Sequence, residues 1–186
     1  LPPPEEGEIC ALIGSSSETY RRWLASRCPI ALARPVEKMA VERELILIPR
    51  TGLLYDGIPA ALSPLRADVT TLAICSNGPP RYVEAVLAGC SIADLFDVVR
   101  ARREDDADKS QMVHDLLRRR DRLSGGRGLV IGDRWDDIEA AHANGLPAIG
   151  AAWGYASAGE LDEADLVIDD PRNLRSAALR LLQSVA

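Results

Sequence analysis

Three short stretches carry polar side chains at points where predicted strands and helices meet. In the first, the apolar run Leu72–Cys75 leads into Ser76, Asn77 and Gly78, and two prolines follow. A hydroxyl group and free backbone N–H groups at the start of a helix suit a phosphate oxygen. Ser76 and Asn77 are also typical of an ordinary turn and helix cap, so this motif alone leaves both interpretations open.

The second stretch contains Lys109, which directly precedes a helical pattern carrying Val113 and Leu117. An ammonium group at this point would neutralise a phosphoryl group in a transition state, and a solvated surface lysine is the alternative. The nearby Asp106-Ala-Asp108 has D-x-D spacing. No apolar strand directly precedes it, so we interpret it as a solvated acidic loop.

The third stretch is the most specific, because an apolar run ends in Gly132-Asp133 and two further acids, Asp136 and Asp137, follow at the start of a helix. Three carboxylates this close repel one another unless a cation lies among them. Mg²⁺ commonly uses one or two carboxylates together with water and phosphate. Asp136 and Asp137 also suit the positive end of a helix, but that does not account for Asp133 directly after a buried strand.

The elements that must position these residues form an alternating pattern from Tyr55 onwards. Continuous apolar runs of strand length predict parallel strands that are covered on both faces. Helical segments of crossover length lie between them, which indicates a doubly wound α/β sheet with ligands bound beyond the carboxyl ends of its strands. The predicted strands are Thr71–Cys75, Phe96–Val99, Leu129–Ile131, Ala148–Ala152 and Leu166–Ile168, and the predicted helices are Ile58–Leu65, Pro80–Leu87, Ser110–Leu123 and Asp136–Asn144.

The first fifty residues have a different, helical character. We predict a short helix that ends near Gly14, a helix through Tyr20 and Leu24, and a third that begins at Pro35 and is ended by Pro49. The chain therefore divides into a small helical unit, residues 1–50, and an α/β core, residues 51–186.

The charge, the cysteines and the lengths of the apolar runs argue against several classes of binding partner and indicate a location. The formal net charge of −6 argues against a nucleic-acid partner, which would need a basic surface. The four cysteines form no C-x-x-C pair, so no zinc or redox motif is present. Their scattered positions indicate a reducing compartment, and we predict a cytoplasmic protein. No apolar run reaches the roughly 18 residues needed to cross a bilayer, so no membrane partner is expected.

Taken in order, the three stretches resemble motifs II, III and IV of the haloacid dehalogenase (HAD) superfamily. Ser76 to Leu87 is similar to the second motif and its helix in phosphoglycolate-phosphatase-like members, and Ala148–Tyr155 and Leu166–Pro171 are similar to the segments that follow motif IV. Residues 1–14 resemble part of the helical cap that these enzymes insert after motif I.

The resemblance implies specific roles. Ser76 would bind a phosphoryl oxygen with help from the backbone of Asn77 and Gly78, and Lys109 would stabilise the phosphoryl group. The expected ligands of Mg²⁺ are Asp133, Asp137 and, with least support, Asp136. Relatives of this kind cleave small phosphate monoesters through an aspartyl-phosphate intermediate, so the expected partner is a small phosphorylated metabolite. The acidic pair favours phosphate chemistry over cleavage of a carbon–chlorine bond.

The chain departs from the family at motif I, where an apolar strand should lead into Asp-x-Asp-Gly-Thr. No Asp precedes Asp56, so the nucleophile is absent from these 186 residues. One explanation is that motif I and the first sheet strand lie upstream of Leu1, which is not Met. The other is degeneration, with Leu45–Ile48 as the strand and Pro49 and Thr51 in place of the acids. The second would make the protein a non-catalytic binding or regulatory module.

Overall fold

A computed structural model describes residues 3–15, 17–120 and 127–184. In these residues three helices come first, and five strands and five further α-helices follow, alternating except that β5 comes directly after β4. The helices are α1 (Glu6–Cys10), α2 (Ser17–Arg27), α3 (Ile30–Thr51), α4 (Ile58–Asp68), α5 (Pro80–Gly89), α6 (Lys109–Arg120), α7 (Trp135–Ala143) and α8 (Leu174–Ser184). The strands are β1 (Ala73–Ser76), β2 (Val98–Ala101), β3 (Val130–Gly132), β4 (Ala148–Ala151) and β5 (Leu166–Ile168).

The predicted α/β class is confirmed, because all five apolar runs form parallel strands within two residues of the expected bounds. The four predicted crossover helices are present as α4 to α7, although the predicted end of α6, at Leu123, lies outside the described residues. Helix α8 was not predicted. Its buried apolar residues, Leu174, Ala177 and Ala178, are three and four positions apart, which is the spacing that indicates a helix.

The strands form two sheets where the sequence suggested one. β1 pairs with β2, and β4 pairs with both β3 and β5. Within the described part of the chain, β1 and β3 therefore have backbone hydrogen-bond partners on one side only. Both strands are at most half-buried, whereas all four residues of β4 are buried, as expected for the centre of a parallel sheet.

We call the region between the unpaired edges of β1 and β3 the inter-sheet slot. Asn77, which follows β1, donates a hydrogen bond to Asp136, which follows β3, so the carboxyl ends of the two strands lie side by side. Paired strands are about 4.8 Å apart, and β1 and β3 do not pair.

Helices cover both faces of the larger sheet. On one face, Ile149 of β4 and Ile168 of β5 pack against apolar residues of α4 and α8. On the other face, Ile138 and Ala141 of α7 pack against Ala148. The smaller sheet is covered by α5, whose Val83 and Leu87 contact Ala101 of β2. This layered packing fixes the directions of the loops that follow β1 and β3.

Helices α1 to α3 have a small apolar cluster of their own, in which Leu24 and Cys28 of α2 pack against Ala33 of α3. The prediction that prolines bound the third helix was wrong, since α3 includes both Pro35 and Pro49. Packing of α3 against α2 and α5 outweighs the hydrogen bonds that the prolines cannot donate. A Cβ atom added at Gly89 of α5 would lie 3.2 Å from Cα of Pro49, so the two helices are close there.

The same helix removes the structural basis of the degeneration hypothesis. The segment Leu45–Thr51 belongs to α3, so it is not the strand and loop that a degenerate motif I requires. In the described part of the chain, no helix is long and apolar enough to cross a membrane.

The interpretation of Asp106-Ala-Asp108 as a solvated loop was wrong for Asp106. Its carboxylate forms an ion pair with Arg100 of β2, and the two side chains are only 7% and 5% exposed. The hydrogen bond from Nη1 of Arg100 is 2.9 Å long, and this interaction lowers the pKa of Asp106. Asp108 is exposed and accepts a hydrogen bond from the Gln111 N–H in the first turn of α6.

We expect Asp106→Asn to lower the free energy of unfolding by about 3 kcal/mol, because it removes the buried one of the two carboxylates that pair with Arg100 and leaves only the more exposed Asp115, at 3.3 Å. Urea unfolding at pH 7 measures this loss. Since the pKa of Asp106 is lowered in the folded state, its contribution is present above about pH 4 and disappears as the pH falls towards the folded pKa. The variant and the wild type should therefore converge in acid.

The matched control is Asp105→Asn, which removes the same charge from the neighbouring exposed position and should leave stability unchanged. Equal unfolding energies for the two variants would contradict the assigned role of the buried pair.

Candidate functional site

The loop after β1 holds the first group of predicted residues. The hydroxyl of Ser76 accepts a 3.1 Å hydrogen bond from the N–H of Gly78, which closes a tight turn before α5. The carboxamide of Asn77 contacts three segments: it donates to Asp136 at 2.7 Å and to the carbonyl of Gly14 at 3.2 Å, and it accepts from Arg102 at 3.1 Å. The turn interpretation of Ser76 is therefore correct as local geometry, while the contacts of Asn77 extend well beyond a turn.

Lys109, the first residue of α6, is buried rather than solvated, with 9% of its side chain exposed. Its ammonium group lies 2.5 Å from Oδ1 of Asp137, which is also buried. Burial alone would lower the pKa of Lys109, but the charges of Asp137 and Asp136 raise it overall, so the ammonium stays charged at neutral pH. This places a permanent positive charge against the candidate metal ligands.

The three acids of the third stretch each have a separate partner. Oδ2 of Asp133 accepts a 2.7 Å hydrogen bond from the N–H of Tyr155, Asp136 binds Asn77, and Asp137 is paired with Lys109. Among the residues that the structure describes, no group of three or more His, Cys, Asp or Glu side chains is gathered as a metal-binding cluster. The metal assignment therefore remains a prediction.

Two glycines let these carboxylates approach the backbone. A Cβ atom at Gly132 would lie 2.0 Å from Cγ of Asp137, and one at Gly154 would lie 2.2 Å from Cβ of Asp133. Both distances are far below any normal contact, so a side chain at either position would displace an acid. Glycine at position 132 is therefore needed for a steric reason, since it leaves space for Asp137.

The structure brings the three stretches to one region at the carboxyl ends of β1 and β3. The ammonium of Lys109 contacts Asp137 and the amide of Asn77 contacts Asp136. Asp133 instead accepts a hydrogen bond from Tyr155, in the loop after β4. Cys75, the neighbour of Ser76, is close enough to Lys109 and Asp137 for their charges to affect its pKa, which burial raises to about 11.

Sequence reasoning missed two arginines here. Arg102 follows β2 and orients the amide of Asn77, and Arg134 follows Asp133 and binds the carbonyl of Ile13 at 2.6 Å. Each arginine lies within two residues of the end of a strand, and this position is the sequence feature that could have identified it.

Comparison with known proteins gives a consistent result. The family model described as a haloacid dehalogenase-like hydrolase matches residues 10–145. A phosphoglycolate phosphatase from Synechococcus elongatus is 28% identical over 183 residues, which are 97% of this chain and 84% of that protein. One from Salmonella paratyphi A is 31% identical over 128 residues, which are 67% of this chain and 50% of that protein. In several of the curated relatives, the match spans only about half of the relative's length.

Solved structures share the fold. A predicted phosphoglycolate phosphatase from Haemophilus somnus 129PT superposes with a TM-score of 0.84 at 20% identity, covering 95% of this chain and 84% of that one. CbbY from Rhodobacter sphaeroides, solved in complex with xylulose-(1,5)-bisphosphate, gives a TM-score of 0.71 at 21% identity and covers 91% and 80% of the two chains. At these identities, the likeness concerns the fold alone.

We expect Gly132→Ala to lower the free energy of unfolding by about 1–3 kcal/mol, because the added methyl group displaces Asp137 from Lys109. Urea denaturation measures the change. Gly7→Ala in α1 is the control, since a Cβ atom there meets nothing within 4 Å and alanine favours a helix. A Gly132→Ala variant as stable as the wild type would show that Asp137 is not held where the structure places it.

Proposed function

Because the chain belongs to the haloacid dehalogenase-like hydrolase family, we propose that it provides most of the active site of a Mg²⁺-dependent phosphohydrolase that acts on a small phosphate monoester. The observation that carries this proposal is the meeting of Lys109 with Asp137 and of Asn77 with Asp136 at the carboxyl ends of β1 and β3. Relatives named phosphoglycolate phosphatase and the sugar-bisphosphate complex of CbbY support a small phosphorylated substrate.

The phosphoryl group would be bound by the loop after β1. The hydroxyl of Ser76 and the backbone N–H of Asn77 would donate to it beside the start of α5, where the helix dipole also favours an anion. The N–H of Gly78, which donates to Ser76 in this structure, would join them on turning from the hydroxyl to the phosphate. Lys109 would neutralise the negative charge that accumulates on the phosphoryl oxygens. A buried ammonium is more effective in this role than a solvated one, because little water screens its charge.

Mg²⁺ would be held by Asp133 and Asp137, with Asp136 the least certain ligand. The donors fit the ion in kind, since Mg²⁺ prefers carboxylate oxygen. Burial raises the pKa of Asp137 and Lys109 only partly opposes that increase, so a second cation would stabilise the carboxylate. When bound, the ion would offset negative charge on the phosphate oxygens. Lys109 and Asn77 would keep Asp137 and Asp136 in place beside it.

The attacking carboxylate is the part that these 186 residues do not supply. The resemblance places it at the end of an apolar strand, and in the described part of the chain β1 and β3 each keep one unpaired edge with which such a strand would pair. A strand there, parallel to its neighbours, would end beside Lys109 and Asp137. We therefore propose that an Asp-x-Asp-Gly-Thr strand completes the site from the slot, and that the chain alone has little or no phosphatase activity.

The remaining parts of the proposal concern organisation and location. We propose that residues 1–50 act as the cap and residues 51–186 as the catalytic core, with α3 packed along α5 between them. The first two and last two residues of this division lie outside the described part of the chain. A cytoplasmic location fits the four cysteines, all of which are free thiols.

A non-catalytic binding module is the alternative function. It is favoured by the partners that already engage the acids, since Lys109, Asn77 and the N–H of Tyr155 each bind a candidate metal ligand. In that case the phosphate pocket would bind its ligand without turning it over, whatever strand is supplied.

The two functions separate in a complementation experiment. A peptide consisting of an apolar strand followed by Asp-x-Asp-Gly-Thr is refolded with the chain, and hydrolysis of p-nitrophenyl phosphate is followed with and without Mg²⁺. We expect no turnover by the chain alone and Mg²⁺-dependent turnover with the peptide. The control peptide carries Asn in place of the first Asp and should give none.

Turnover by the unsupplemented chain would contradict the proposed role of the slot. Binding of the peptide without any turnover would favour the non-catalytic module.

The metal assignment has its own test in titration calorimetry. We expect Asp133→Asn to weaken Mg²⁺ binding by at least about ten-fold, because it removes one anionic oxygen ligand. Asp162→Asn, at an exposed position in the loop after β4, should leave the affinity unchanged. If both variants bind Mg²⁺ as tightly as the wild type, Asp133 is not a ligand.

A further inference from the structure

One turn of the helical segment α1–α3 is held by the core at two consecutive carbonyls. Arg134 Nη1 donates to the carbonyl of Ile13 at 2.6 Å, and Asn77 Nδ2 donates to the carbonyl of Gly14 at 3.2 Å. Gly14 has a φ of +78°, a left-handed conformation that turns the chain after α1. We call the segment from Leu12 to Ser15 the docking turn.

The two donors reach the docking turn from opposite sides of the inter-sheet slot. Asn77 belongs to the loop after β1 and Arg134 to the loop after β3. Because these strands belong to different sheets, the docking turn is hydrogen-bonded to one loop from each sheet. It therefore lies across the carboxyl ends of β1 and β3, where the candidate site is.

Arg134 is oriented by the core before it reaches the turn. Its Nη2 donates to Glu160 at 3.2 Å and its Nε lies 3.0 Å from the same carboxylate, with only 13% and 18% of the two side chains exposed. The N–H of Ser157 donates to Oε2 of Glu160, the oxygen that lies near Nε of Arg134, and so fixes that carboxylate in turn. A planar guanidinium held in this way presents Nη1 in one direction.

Asn77 is oriented similarly. Arg102 donates to its Oδ1 at 3.1 Å, which leaves the amide nitrogen to face Gly14 and Asp136. The amide group thus has one partner in the docking turn and one among the candidate metal ligands.

We propose that Arg134 is a positioning residue that fixes the docking turn over the candidate site, so that the Arg134–Glu160 pair sets how firmly the helical segment is closed. The side-chain hydrogen bonds of Arg134 go to Ile13 and Glu160, while its backbone N–H, which side-chain substitution leaves in place, donates to Asp137. The proposal concerns closure and goes beyond the phosphohydrolase chemistry, so it holds or fails independently of that activity.

Hydrogen exchange followed by mass spectrometry tests the proposal on the chain itself. The amides of Leu12 and Ile13 donate to carbonyls at the end of α1, and the amide of Ser15 donates to Leu12, so these three amides report opening of the turn. We expect Arg134→Met to speed exchange in peptides covering residues 8–15 by about ten-fold, the effect of losing one charge-assisted hydrogen bond. Peptides from α5 and α8 should exchange as in the wild type.

Three further variants sharpen the result. Glu160→Gln keeps the arginine but weakens its orientation, so exchange should rise by a smaller factor in the same peptides. Arg134→Lys keeps the charge without the planar fork and should restore part of the protection. Arg175→Met is the matched control, because it removes an exposed pair with Asp68 that has no contact with the docking turn.

Unchanged exchange in residues 8–15 of Arg134→Met would overturn the proposal, and so would faster exchange spread equally over α5 and α8. If Arg134→Met does not fold, Glu160→Gln decides the question by the same two criteria.

Discussion

The ion pair between Lys109 and Asp137 is the interaction on which the arrangement of this site depends. It connects the start of α6 with the start of α7, and so links the loops that follow β2 and β3. Both charges are buried, and removing two charges from water costs several kcal/mol that the pair only partly recovers. A buried ion pair of this kind is weak evidence for a role in stability. It is better explained by the proposed phosphate site, which would need a fixed positive charge beside acidic metal ligands.

The inter-sheet slot explains several features that look unrelated. Strands β1 and β3 are at most half-buried, and among the residues that the structure describes each has a backbone partner on one side only. The carboxylates that border it are positioned by close contacts with Gly132 and Gly154 and not by one another. The docking turn then bonds to both sides of the slot through Asn77 and Arg134. The proposed binding of phosphate, the proposed catalysis and the closure of the helical segment would thus all involve residues at the inter-sheet slot.

Much of the fold was predictable from the sequence, because continuous apolar runs between helical segments leave few arrangements other than parallel strands with crossovers. The positions of Asn77 and Asp137 follow from the strands that precede them, and that of Lys109 from the start of α6, while their roles in a phosphate site stay a prediction. What the sequence did not reveal depends on long-range partners. The burial of Asp106 against Arg100 and the role of Arg134 arise from contacts between segments that no local pattern encodes. The helix through Pro35 and Pro49 likewise exists because tertiary packing outweighs local propensity.

The central claim is that the loops after β1 and β3 and the start of α6 form one anion and metal site. Backbone amide chemical shifts, recorded while inorganic phosphate is added with and without Mg²⁺, test it most directly. The account predicts that the largest changes fall together on Ser76 to Gly78, on Lys109 and on Asp133 to Asp137, and that they grow when Mg²⁺ is present. Changes confined to another surface, such as the region around Arg172, or none at these residues, would contradict it.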